Sequence, residues 1–237
     1  MGHGLCPRAG MQQSRSRQFG EPGPEKHVIS IEAPIGAGKT TVLNKLLEEF
    51  PDLAQVPEPV DRWEETGLLP AMYHNLVNRA TFQQMALVTR AADLTAALRE
   101  HDWVITERSP ISDRVVFAAA NMEEGSWEYE SYMETYRSVA KMVPDFAWHQ
   151  IQLAVDQQEL DFRVAVRARK SETATDALPT WYNEKIRKLH DALYASPLAA
   201  TRARIDASGS KEAVANEVVA EVDCILGSHA RSGKITW

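Results

Sequence analysis

Apolar residues follow two rhythms along the 237-residue chain: short unbroken runs, and longer stretches with a helical repeat. Residues 27–33 (HVISIEA) form a run that reads as a buried strand ending in a Pro/Gly turn. Residues 40–50 place Val42, Leu43, Leu46 and Leu47 on one helical face, and Pro51, which cannot donate to a helical ladder, stops that helix. A second short strand is expected over 54–58, closed by Pro57 and Pro59. Residues 68–100 read as two helices meeting near Asn78, and 103–106 as a third strand. Ser109-Pro110 has the form of an N-cap followed by proline at the first helical position. Helices are expected from there through Ala120 and over 126–142. A strand at 148–155 follows, then helices at 156–169 and 180–194, a short strand at 204–206, and a closing helix at 210–226 stopped by Gly227. Strands alternating with longer helices predict an α/β fold, a five-stranded parallel sheet with helices on both faces. Such sheets bind ligands at the carboxyl ends of their strands, so chemistry is expected just after Ala33, Glu58, Glu107 and Val155.

Composition narrows the function classes. The chain has 26 Lys and Arg against 33 Asp and Glu, a formal charge of −7, and lacks the electrostatic footprint of a nucleic-acid polymer binder. No apolar run approaches the roughly 18 residues of a membrane span; residues 115–120 (VVFAAA) are the best stretch. Cys6 and Cys224 lie far apart with no Cys-x-x-Cys spacing, which argues against a disulfide framework or zinc site and for a reducing compartment. Residues 1–26 contain Arg8, Arg15 and Arg17 and no acid before Glu21. They read as a disordered or targeting extension before a domain at 27–228 and a flexible tail at 229–237. The expected location is cytoplasmic, or mitochondrial or plastid if residues 1–26 are a transit peptide.

The sharpest signal follows the first strand: Ala33-Pro34-Ile35-Gly36-Ala37-Gly38-Lys39-Thr40-Thr41. It fits the phosphate-binding P-loop pattern with Ala33 in place of the first glycine. Gly36 and Gly38 let successive N–H groups converge on phosphate oxygens, and the helix that begins there adds its positive end. Lys39 can reach the β- and γ-phosphates of a nucleotide, and Thr40 can offer its hydroxyl to Mg²⁺. A guanine-reading Asn-Lys-x-Asp is missing from the later strands, and the third strand ends in Glu107-Arg108 rather than the Asp usual in motor ATPases. A small phosphoryl-transfer enzyme remains.

Four further blocks occur in order: residues 56–63 (VPEPVDRW), 81–83 (TFQ), 107–114 (ERSPISDR) and 163–169 (RVAVRAR). With the P-loop they resemble the deoxyribonucleoside kinases, the family of deoxycytidine, deoxyguanosine and mitochondrial thymidine kinases, over about residues 27–190. The resemblance implies a P-loop kinase fold with a helical lid, Mg·ATP as phosphate donor, a deoxyribonucleoside acceptor, a role in nucleotide salvage, and a homodimer, plausibly built on residues 109–120 and the following long helix. By that resemblance Glu58 is the general base that takes the 5′-hydroxyl proton, a role suited to a carboxylate within hydrogen-bond reach. Arg108 orients it and steadies the transferred phosphoryl; Glu107 joins Thr40 at Mg²⁺. Gln83 reads the nucleobase with an amide that both donates and accepts, between aromatic walls of Trp63, Phe82 and Phe117. Tyr73 and Glu172 match the residues on the deoxyribose 3′-hydroxyl. Arg163, Arg167 and Arg169 match the lid arginines over the ATP phosphates. Arg90 and Asp113 resemble the pair of deoxycytidine and deoxyguanosine kinases, which implies that purine deoxynucleosides or deoxycytidine are preferred over thymidine.

Two other readings stand beside this one. A nucleoside monophosphate kinase would need a site for an acceptor phosphate, which Glu58 would repel. A non-catalytic relative serving as a subunit of a larger complex would not require Glu58, Arg108, Gln83 and the lid arginines.

Overall fold

A computed structural model describes residues 25–167 and 180–228. Five strands, β1 (His27–Glu32), β2 (Ala54–Val56), β3 (Trp103–Glu107), β4 (Ala147–Ala154) and β5 (Thr201–Asp206), form one sheet in the order β2-β3-β1-β4-β5. Every neighbouring pair is parallel, in agreement with the expected fold class. Alternation along the strands sends side chains to two cores. Ile29, Ile31, Ile105, Ile151 and Leu153 face α1 (Lys39–Glu49) and a C-terminal helix, Lys211–Ser228, which brings Val214, Val218, Val222 and Ile225. Val28, Val104 and Trp148 face the other layer.

That second layer holds most of the remaining helices. The short α2 (Val60–Glu65) and α3 (Leu68–Tyr73) precede the long α4 (Arg79–Glu100), whose N-cap Asn78 accepts from the Thr81 N–H at 2.7 Å. Asn78 thus marks the expected break, while α2 was not expected. After β3, Ser109 and Ser112 form a capping box at the head of α5 (Pro110–Ser112). The chain then widens into a π-helical turn over Asp113–Ala118 before α6 (Ala119–Asn121). Residues 109–113 and 116–118 are buried within the chain, while Arg114, Val115 and Ala119 are half-buried. The other helices are α7 (Trp127–Ala140), α8 (Gln157–Arg167), α9 (Thr180–Ala195) and α10 (Lys211–Ser228). Gly227 lies inside α10 rather than stopping it, and β5 begins at Thr201 rather than 204. No helix among the described residues is long and apolar enough to cross a membrane.

At the sheet end away from the P-loop, His27 Nδ1 lies 3.1 Å from His149 Nε2, and His149 Nδ1 lies 2.8 Å from Thr201 Oγ1. Burial, and then the neighbouring His27, lowers the His149 pKa to about 4. An unfolded chain takes up this proton near pH 6.5 and the folded chain only near 4, so folding stability is lost as pH falls through that window. Urea unfolding at stepped pH should show the loss, on the order of 3 kcal/mol for this group. His149→Gln should flatten the slope relative to the natural protein; equal slopes would contradict the assignment.

Candidate active site

The loop between β1 and α1 owes its shape to two glycines in the left-handed region, Gly36 (φ 89°) and Gly38 (φ 94°). A Cβ at Gly36 would come within 2.9 Å of Val164 Cγ2, so α8 packs directly on the turn and only glycine fits. Gly38 is the N-cap of α1, whose first N–H groups are therefore presented to the loop. Lys39 is buried; its ammonium donates to the Ala33 and Pro34 carbonyls (3.3 and 3.2 Å) and lies 3.8 Å from Glu107 Oε1. Ala33 has its methyl in the core and is not on the cavity wall, whereas Ile35 to Thr41 all line it.

The cavity, about 750 Å³, opens over the carboxyl ends of β1, β2 and β3. Pro57 and Pro59 frame Glu58 just past β2. Just past β3, the backbone turns at Arg108 into a left-handed conformation (φ 64°), rare without glycine. Arg108 Nη1 donates to Glu58 Oε1, and its guanidinium sits 4.6 Å over the Phe117 ring. Arg90, from the middle of α4, donates to three acceptors: Asp113 Oδ2 (2.8 Å), the Glu107 carbonyl (2.8 Å) and Glu58 Oε1 (3.0 Å). Burial alone would raise the Glu58 pKa, but Arg108, Arg90 and Lys39 outweigh it and bring the carboxyl down to about 2. Asp113 shifts the other way: burial raises it despite Arg90.

One wall is a stripe of α4, Arg79, Gln83, Ala86 and Arg90, spaced to share one face. The buried Gln83 lies on the wall. Trp63 and Phe82 meet edge to face at 5.3 Å, and Tyr73 and Phe117 also line the space. Arg163 also reaches the cavity, held by Glu159 Oε1 (2.7 Å) and the Ala207 carbonyl (2.9 Å). Of the other expected residues, Arg167 ends α8 with its side chain outside the described residues, and Arg169 and Glu172 lie outside them altogether.

Thr40 Oγ1 and Glu107 Oε2 are 3.5 Å apart beside the loop. Hard oxygen donors with room for water and phosphate suit Mg²⁺, so these two residues fit the ion. Arg79, Asn121 and Tyr182 are among the wall residues that escaped the sequence reading. Arg79 Nη1 donates to Asn121 Oδ1 (3.4 Å), Asn121 Nδ2 donates to the Tyr182 hydroxyl (2.9 Å), and the Arg79 guanidinium lies 5.0 Å over the Tyr182 ring. Arg79 had a signal, since it precedes Gln83 by four residues. Glu32, fully buried behind the loop, accepts from Ser109 Oγ at 2.7 Å, and its burial raises its pKa.

A glycine turn at the head of an all-parallel sheet, with helices on both faces and a cavity over the strand ends, defines the P-loop kinase fold. A sequence profile of the deoxynucleoside kinase family matches residues 29–226, and the chain belongs to that family. Bovine deoxycytidine kinase is 28% identical over 204 residues, 69% of this chain and 74% of that one. A fowlpox virus protein named as a probable deoxycytidine kinase is 33% identical over 120 residues, half of each chain. Among solved structures, a deoxyadenosine kinase from M. mycoides superposes with a TM-score of 0.68 at 20% identity, covering 83% of this chain and 98% of that one, which supports the fold.

Proposed function

We propose that the protein transfers the γ-phosphoryl group of Mg·ATP to the 5′-hydroxyl of a deoxyribonucleoside, with deoxycytidine or a purine deoxynucleoside preferred over thymidine, in nucleotide salvage. The observation that carries the reading is Glu58: a carboxylate on the cavity wall, gripped by Arg108 and within one cavity of the phosphate loop. Glu58 takes the 5′-hydroxyl proton as that oxygen attacks phosphorus. Lys39, Arg108 and Arg163 meet the negative charge of the phosphates, with Arg167 and Arg169 as further lid arginines. Mg²⁺, held by Thr40 and Glu107, would neutralise phosphate charge. Tyr73 and Glu172 hold the 3′-hydroxyl, and Gln83 pairs with the nucleobase between Trp63, Phe82 and Phe117.

Preference against thymidine rests on Arg90 and Asp113, joined at 2.8 Å beside Gln83. A charged pair crowds a 5-methyl group and offers polar partners to cytosine or a purine edge. The test is phosphorylation of the four natural deoxynucleosides with Mg·ATP. Deoxycytidine or a purine deoxynucleoside should lead, and the double variant Arg90→Met, Asp113→Ala should move the ratio of kcat/KM toward thymidine by at least about tenfold. Thymidine as the best substrate of the natural protein would refute the specificity reading. Folded protein with no turnover on any of the four would refute the kinase reading.

A further inference from the structure

Glu58 is held through a single oxygen. Oε1 accepts from both Arg108 and Arg90, while Oε2 accepts no hydrogen bond among the described residues. Arg90 is itself fixed from behind by Asp113 and the Glu107 carbonyl, is 2% exposed, and lies 5.8 Å over the Trp63 ring. One immobile guanidinium therefore joins the wall assigned to the nucleobase to the carboxylate assigned to the reaction.

We propose that Arg90 restrains Glu58: the guanidinium that shapes acceptor selectivity also weakens the carboxylate as a general base. The proposal rests on the reading of Glu58 given above. As the bond from O5′ to the γ-phosphorus forms and the bond from phosphorus to ADP breaks, the 5′-hydroxyl proton passes to Glu58 Oε2. Glu58 thereby becomes neutral, and any cation bound to it loses its counter-charge. Three cations face Glu58: Arg108, Arg90 and Lys39. Arg108 and Lys39 have phosphate oxygens to turn to when the donor is bound. Arg90 does not, because Asp113 and the Glu107 carbonyl keep it where it is. Its opposition to proton transfer thus persists in the complex that reacts, and selectivity is obtained at the expense of proton-abstracting power.

The test measures single-turnover phosphoryl transfer to deoxycytidine and to its 5′-amino-5′-deoxy analogue at one pH, chosen alkaline enough that the amine of the analogue is unprotonated. The neutral nitrogen of the analogue attacks phosphorus with its own lone pair and loses a proton only afterwards, so it needs no base. Arg90→Met should raise the rate on the hydroxyl acceptor, on the order of three- to tenfold, while raising KM. The gain should be absent with the amino acceptor and absent when Glu58→Gln is combined with Arg90→Met. Asp113→Asn keeps the guanidinium and frees its charge for Glu58, so it should slow the hydroxyl acceptor alone; this variant decides the matter if Arg90→Met does not fold. A rate on the hydroxyl acceptor that falls or stays level in Arg90→Met, an equal gain on both acceptors, or a faster Asp113→Asn would overturn the proposal. Full activity of Glu58→Gln with Arg90 intact is a separate result: it would overturn the assignment of the base itself.

Discussion

Replacing Glu58 with Gln should lower the rate of phosphoryl transfer by a factor on the order of 10² to 10⁴, the range a general base supplies. The amide keeps the shape of the side chain but cannot accept the proton of the attacking hydroxyl. It also withdraws the negative charge on which Arg108 and Arg90 converge. Two largely buried guanidiniums then lose a partner, so the melting temperature should drop as well, because an uncompensated buried charge is costly. The loss of rate should nevertheless exceed what unfolding explains. Circular dichroism at the assay temperature separates the two, and ATP affinity by calorimetry should change little, as expected of a residue that serves the acceptor alone. A folded variant that keeps more than a tenth of the natural kcat would show that the hydroxyl proton leaves by another route.

Lys39→Met should be nearly as damaging, by a different path. The ammonium is lodged on the Ala33 and Pro34 carbonyls and beside Glu107. The two carbonyls are weaker partners than phosphate oxygens, so the lysine is expected to turn to the phosphates of a bound donor. Methionine fills a similar volume without charge. The expected result is a fall in rate on the order of 10² to 10³, comparable to removing one well-placed donor to a developing charge, together with a raised KM for ATP. Thermal unfolding should show that Mg·ATP no longer stabilises the variant. A variant that is still stabilised as strongly as the natural protein would mean the phosphates are held by the loop N–H groups and arginines alone.

The parts of the fold that were legible in the sequence are those where one local cause dominates. The run HVISIEA followed by two glycines and Lys-Thr leaves little choice but strand, turn and helix, and Asn78 announces its cap by the type of its side chain. β5 was read short because its residues alternate between half-buried and exposed at the sheet edge, which weakens the apolar signal. The helix α2 was hidden by the prolines before it. In the site, Glu58, Arg108 and Lys39 could be found because each lies at a strand end or loop with a distinctive neighbourhood. Asn121 and Tyr182 could not, since they come from separate elements and meet only after α9 packs on the π-helical segment. The two bonds from Arg90 to Glu58 and Asp113 span 32 and 23 residues, and no periodicity encodes a distance of that kind.

The π-helical turn at Asp113–Ala118 has an implication for how such a site can change. A wide turn of this kind accommodates an extra residue within a helix. Deleting one residue between Arg114 and Val116 would close the wide turn to ordinary α winding and leave the helix downstream in nearly the same phase. Phe117 and Asn121 would keep facing the cavity, and the serine cap and the Asp113–Arg90 pair would stay in place. The same deletion in the regular winding of α4 would rotate all that follows by about 100°, so the π-helical turn is the part of this wall that best tolerates a change in length.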